Sequence, residues 1–68
     1  MDTMKYLGKQ VKLIDVDNDV FIGHVVDAGT PEDNDDYGMY DISLEGKNLP
    51  KEGIIFEENE IKSIEVIN

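Results

Sequence analysis

The chain has 68 residues, with six lysines, no arginine, sixteen carboxylates and a formal net charge of -10. This length allows one small domain at most and excludes an enzyme with a separate cofactor-binding fold. Because the chain has no cysteine, neither a disulfide nor a thiolate metal site can stabilise so small a core. Self-association is the remaining source of extra stability.

The first structural signal is a short helix followed by a strand. Thr3 is a suitable cap for a helix over residues 4–7, and Gly8 is a suitable left-handed residue to end it. After Gly8 the pattern alternates, which predicts a strand over residues 9–16 with Val11 and Leu13 on one face.

A hairpin is predicted next. The short polar residues 17–19 are typical of a tight turn, and residues 20–27 form a second strand that is apolar on both faces, as expected of a curved central strand. Gly23 lies in the middle of that strand. A glycine there indicates a bulge, a sharp bend or a close approach of another backbone.

Three more strands follow the longest loop. Residues 28–38 contain a proline and an acidic run, which oppose regular structure. Strands are predicted over residues 39–44, 52–56 and 61–67, with Ile42 and Leu44 sharing a face. In the last strand, Ile64 and Val66 are predicted on one face, and Ile61 and Ile67 on the other.

Five short strands behind one helical turn predict an all-β fold, a small closed five-stranded barrel with a short N-terminal helix, spanning residues 1–68 as one domain. Closure of the barrel would remove unpaired strand edges.

The residues do not indicate catalysis. His24 is the only histidine, it lies in a strand that looks mostly buried, and no nucleophile is placed beside it by spacing. We therefore predict no catalytic residue, no cofactor and no enzymatic activity. Residues 15–19 resemble the start of a calcium-binding EF-hand loop, but Val20 and Val26 stand where that loop needs its glycine and its bidentate glutamate. The acidic run 32–36 is more typical of a solvated loop, so no metal site is predicted.

Charge is divided unevenly along the chain. Residues 1–12 contain three lysines and one aspartate, a balance of +2, whereas the other 56 residues contain three lysines and fifteen carboxylates, a balance of -12. Most of the molecule should repel phosphate backbones and attract basic surfaces. The simpler alternative is that the acidity only keeps the protein soluble.

Location can be predicted from hydropathy. No apolar run exceeds three residues, whereas a membrane-spanning helix needs about 20. The N-terminus lacks the apolar region of a signal peptide, which predicts a cytoplasmic protein.

The acidic loop is the predicted partner-binding site. It combines carboxylates with two tyrosines that could form a small aromatic groove. The alternative is that these tyrosines only pack against the barrel. The predicted residues are Glu32, Asp33, Asp35, Asp36, Tyr37 and Tyr40. A protein with a basic surface is the predicted partner.

The pattern resembles the Sm-like family of small SH3-like barrels, which includes Hfq and the Lsm proteins. The resemblance is carried by residues 7–13, the turn 17–19, residues 20–26 with their Phe-x-Gly, and the ending 54–66. It implies an N-terminal helix on a strongly bent five-stranded sheet, rings built through the fourth and fifth strands, and uridine-rich RNA as a ligand.

The resemblance leads to two alternative functions. The first is an RNA-binding ring that would use Lys5, Lys9, Lys12, Lys47 and Asn48. The family places a basic residue before the last strand, where this chain has Glu58, Asn59 and Glu60, so the charge favours a protein partner over RNA. The second is an acidic mimic of nucleic acid that occupies the groove of a nucleic-acid-binding protein.

Overall fold

The computed structural model describes residues 1–34 and 38–67. Its elements, in chain order, are a 3-10 turn Thr3–Tyr6, β1 Gln10–Asp15, β2 Val20–Gly29, β3 Asp41–Glu45, β4 Ile54–Glu57, a second 3-10 turn Glu58–Glu60 and β5 Ile61–Val66. All five predicted strands are confirmed, with each end within two residues of the predicted one.

The strands form one antiparallel sheet in the order β4-β3-β2-β1-β5. The central position predicted for β2 is confirmed, since it pairs with both β1 and β3. The edges of the sheet are β4 and β5. A ladder between β4 and β5, which would close a barrel, is not among the pairings of residues 1–34 and 38–67.

The prediction of a short N-terminal helix is wrong in type. The segment is one 3-10 turn, capped by the Asp2 carboxylate, which accepts a hydrogen bond from the Met4 amide at 3.1 Å. Thr3 is instead buried, and its hydroxyl donates to the Gly29 carbonyl at 3.4 Å. Four residues before Gly8, which has φ +81°, are too few to offset the cost of starting an α-helix.

No helix in the described part of the chain is long and apolar enough to cross a membrane.

The core lies on one face of the sheet. Its buried members come from every strand: Val11, Leu13, Val25, Ile42, Leu44, Phe56 and Ile61. The rings of Phe21 and Phe56 pack at a tilt, with centroids 5.0 Å apart. The predicted pairs of core residues in the first and third strands are confirmed, because both follow the simple alternation of a strand with one buried face.

The face predicted for Ile61 is wrong, and a β-bulge is the reason. Ile14 pairs with Ser63, but Asp15 pairs with Ile61, so Lys62 is an extra residue in β5. One extra residue inverts the alternation. Ile61 therefore joins the core at 8% exposure, on the same side as the half-buried Ile64.

The predicted special role of Gly23 is confirmed as a close backbone approach. A Cβ at this position would lie 2.7 Å from the Glu45 carbonyl oxygen and 3.0 Å from a Leu49 methyl. The bulge in β2 lies further along the strand, at Val26, between the pairs that Val25 and Asp27 make with β3. Gly23 therefore lets β3 and its following turn lie against β2.

We expect Gly23→Ala to lower the free energy of unfolding by about 3 kcal/mol, because the new methyl group must displace backbone. Gly8→Ala is the matched control. Gly8 has a positive φ but open space around its Cβ position, so its substitution should cost only about 1 kcal/mol. Urea unfolding measures both, and equal costs would contradict the role assigned to the close approach.

Candidate functional site

The loop between β2 and β3 is attached to the second 3-10 turn. The Glu58 amide donates to the Tyr40 carbonyl at 2.9 Å, and the Tyr40 amide donates to Glu58 Oε1 at 3.0 Å. Tyr40 is half-buried, and its backbone therefore anchors the end of the acidic loop.

The turn between β1 and β2 is attached to the same 3-10 turn from the other side. The Val16 amide donates to the Glu60 carbonyl at 3.0 Å. The 3-10 turn is itself closed by a capping box, in which the Glu57 amide donates to Glu60 Oε1 at 2.9 Å. One three-residue connector thus links two loops that are far apart in sequence.

These hydrogen bonds link three carboxylate-bearing segments, the turns at the two ends of β2 and the connector between β4 and β5, and we call the linked segments the acidic end. Its members among the described residues are Asp15, Asp17, Asp19, Glu32, Asp33, Asp41, Glu57, Glu58 and Glu60. Two cationic groups contact this end: the N-terminal ammonium bonds to Glu58, and Lys62 Nζ donates to Asn18 Oδ1.

The Glu58 carboxylate connects parts of the chain that are far apart in sequence. Besides the Tyr40 amide, it accepts a hydrogen bond from the N-terminal ammonium at 3.0 Å, through Oε2. The hydrogen bond from Tyr40, and then the one from the ammonium, lower the pKa of Glu58 below its ordinary value, since both favour the ionised form. Glu58 thereby ties the N-terminal segment to the acidic end.

The aspartates of the β1–β2 turn organise that turn. Asp15 Oδ1 accepts from the amides of Asp17 at 3.0 Å and Asp19 at 2.9 Å, and Asn18 takes the left-handed conformation with φ +66°. The three carboxylates have oxygens within 4.8 Å of one another. Exposed acidic groups often lie this close together without a metal, and the two backbone hydrogen bonds to Asp15 account for the geometry.

The predicted partner-binding residues lie only partly within the described chain. Glu32 and Asp33 are exposed, and Asp33 Oδ2 accepts from the Thr30 hydroxyl at 3.2 Å. Asp35, Asp36 and Tyr37 lie outside the described residues. The sequence indicated this loop but missed its neighbours at residues 15–19 and 57–60. Their acidity was visible, but the hydrogen bonds that bring them to the loop were not.

The predicted RNA-binding set is only partly brought together. Lys12 is opposite Ile22 across the β1–β2 ladder, while Lys47 and Asn48 line a cavity of about 350 Å³ that also contains Ile22. Lys5 lies on the N-terminal 3-10 turn, its Nζ 5.3 Å from the centroid of the Tyr6 ring. Lys9 is exposed just before β1. The described structure therefore clusters three of the five residues, around Ile22.

His24 is exposed, although its strand was expected to be mostly buried. It lies opposite Gln10 of β1 and Glu45 of β3. The apolar residues on both faces of this strand suggested full burial. The structure instead covers only one face of β2, and leaves Val20, Ile22 and His24 on the other.

Comparison with known proteins adds no identification: no family model, no curated protein and no solved structure matches the chain.

We expect Glu58→Gln to flatten the acid side of the stability profile. A carboxylate with a lowered folded-state pKa stabilises the fold fully above its ordinary, unfolded-state pKa, and loses that contribution as the pH falls through the lowered pKa. The stability difference between wild type and Glu58→Gln should therefore be largest near neutral pH and shrink in that acid window.

Urea unfolding at a series of pH values measures this difference. Glu52→Gln, in the exposed β3–β4 turn, is the control for removing one negative charge. If both variants gave the same pH profile, the hydrogen bonds to Glu58 would not contribute to stability.

Proposed function

We propose that the protein is a non-enzymatic interaction module whose acidic end binds a basic surface of a partner protein. The observation that carries this proposal is the pair of links at Tyr40–Glu58 and Val16–Glu60, which attaches two acidic segments to one acidic connector. An acidity needed only for solubility would not require the acidic segments to be linked to one another.

The physical basis is the additive field of neighbouring carboxylates. Charges within about 10 Å of one another act together at ordinary salt, whereas more distant exposed charges are largely screened. A cluster therefore accelerates the encounter with a basic surface and orients it, more than the same charges dispersed over the molecule. Exposed members such as Asp17, Asp19, Glu32 and Asp33 are accessible to a partner.

We further propose that the fold is an Sm-like barrel whose two free edges pair between copies. The support is that β4 and β5 are both edge strands and carry exposed aliphatic side chains, Ile55 at 64% and Val66 at 43%. Unpaired edges with apolar side chains favour strand pairing with another chain. Assembly of β4 of one copy with β5 of the next would satisfy both edges and add to a small core.

We expect the acidic end to dominate binding of a cationic probe, for example a decalysine peptide. The triple variant Glu32→Gln/Asp33→Asn/Glu60→Gln should weaken binding several-fold more than Glu45→Gln/Glu52→Gln/Glu65→Gln. Both variants have a net charge of -7, three units less negative than the -10 of the wild type. The first triple removes clustered charges and the second removes dispersed ones.

Isothermal titration calorimetry at two salt concentrations measures the affinities. Equal weakening by the two triples would show that only net charge matters, and would leave no reason to assign a partner site to the acidic end.

We expect light scattering after size exclusion to give the absolute molar mass of an oligomer, that is, of at least two chains of 7.7 kDa each. Ile55→Lys places a charge on the β4 edge strand and should shift the mass to that of one chain. Val26→Lys is the control, since Val26 is also an exposed aliphatic residue, at 43%, but lies in the central strand. A wild-type mass of one chain would contradict assembly through the edges and remove the ring-based RNA site with it.

A further inference from the structure

The N-terminal 3-10 turn has one side in the core and another side in solvent. Thr3 is buried, and Tyr6, three residues later, packs against the core. Side chains three residues apart lie on the same side of a 3-10 turn. Met1, Met4 and Leu7 form a second row with this spacing, and they are 44%, 43% and 46% exposed. We call these three residues the N-terminal stripe.

Hydrogen bonds hold the N-terminal stripe in place. The Leu7 amide donates to the Met4 carbonyl at 3.2 Å, which carries the three-residue spacing beyond the turn. The Gly8 amide donates to the Val25 carbonyl of β2 at 2.9 Å. A partner therefore meets an apolar surface that is already ordered, which lowers the entropic cost of binding. Methionine suits such a surface, because its unbranched side chain adapts to different contacts.

Charged side chains of both signs flank the N-terminal stripe. Asp2 lies at its beginning, Lys5 follows within the turn and Lys9 lies just beyond its end, and all three are exposed. The Glu58 carboxylate, which also contacts this segment, is paired with the N-terminal ammonium at 3.0 Å. The flank of the stripe is therefore negative at its beginning and positive toward its end.

We propose that a second copy of this chain packs on the N-terminal stripe through its own stripe, in the antiparallel direction, about a two-fold axis at Met4. Met1 of one copy then lies against Leu7 of the other. Asp2 and Lys5 are three residues apart and share one flank of the stripe. Lys5 of each copy consequently faces Asp2 of the other, and the two copies form two equivalent ion pairs.

The distribution of charge selects this occupant. Residues 1–12 have a balance of +2, whereas the other 56 residues have a balance of -12. Two copies therefore repel each other least where their N-terminal segments meet, because other approaches bring acidic surfaces together. A purely anionic partner would leave Asp2 without a counterion, and a purely cationic one would leave Lys5 without one, whereas a second copy supplies both.

The contact is expected to be weak, since three apolar side chains per copy make less than a stable interface. The pair should be dissociated at the micromolar concentrations of size exclusion and should form near millimolar concentration. Ile55→Lys is the background for the test, because it removes assembly through the β4 edge. The mass of the wild type reports on edge assembly and the concentration dependence of this variant reports on the stripe, so each proposal can fail separately.

The test follows amide NMR signals of the isotope-labelled Ile55→Lys chain from micromolar to millimolar concentration. The signals of Met4, Lys5 and Leu7 should move with concentration, whereas that of Val20, at the far end of β2, should not. Adding Met4→Lys should abolish the movement, because it places two lysines at the two-fold axis. Adding Val20→Lys is the control at another exposed apolar residue, and it should leave the movement unchanged.

Exchanged charges test the antiparallel arrangement in the same background. Lys5→Glu alone and Asp2→Lys alone each place like charges across the pair and should weaken it about tenfold. An equimolar mixture of these two chains, with only one of them labelled, should restore the contact, because each reversed charge meets its opposite on the other chain. Lys51→Glu, in the exposed β3–β4 turn, is the control and should not restore contact with the Asp2→Lys chain. Asp2→Asn, which keeps a capping side chain, should weaken the pair less than Asp2→Lys.

Three results would overturn the proposal. One is the absence of movement of the Met4 and Leu7 signals up to millimolar concentration. Another is a mixture of the two charge-reversed chains that associates no better than either chain alone. The third is tighter binding of the stripe to phosphatidylglycerol vesicles than to a second copy, which would assign Met4, Lys5 and Leu7 to an anionic lipid surface.

Discussion

The arrangement of the loops depends on the hydrogen-bond pair between Tyr40 and Glu58. It joins the end of the β2–β3 loop to the connector between β4 and β5, and the same carboxylate binds the N-terminal ammonium. Elements at the start, middle and end of the chain therefore meet at one side chain. The β1–β2 turn is linked to the same connector because the Val16 amide donates to the Glu60 carbonyl.

Such an arrangement has an electrostatic cost wherever like charges lie close together, as the carboxylates of Asp15, Asp17 and Asp19 do. Part of the cost is offset locally. Asp15 accepts two backbone amides, Glu58 accepts an amide and an ammonium, and Glu60 accepts the Glu57 amide. Hydrogen bonds to the ionised form stabilise each charge without neutralising the surface. The remaining field is available to a basic partner, which is why we favour protein binding over a purely solubilising role.

The sequence was sufficient for the five strands, the first hairpin and the core positions of β1 and β3, since these follow alternation and turn chemistry. It was not sufficient for Ile61, because the bulge at Lys62 inverts the alternation and is set by pairing with β1. For the candidate site, the acidic loop was visible as composition. The hydrogen bonds that link this loop to residues 57–60, and residues 57–60 to the β1–β2 turn, could not be predicted, because hydrogen bonds between loops leave no local sequence pattern.

The proposed assembly has its physical origin in incomplete strand pairing in a small sheet. The described pairings leave β4 and β5 as edges. Larger β-proteins cover such edges with helices or long loops. Here the N-terminal segment is a single 3-10 turn that contacts β2, so it cannot cover them all. The chain therefore keeps strand edges with which another backbone can pair. The acidic end has a different origin, because its segments are joined by the connector between β4 and β5 rather than by strand pairing. Backbone pairing at the edges and charge at the acidic end are thus separate means of recognition, and each can be removed without removing the other.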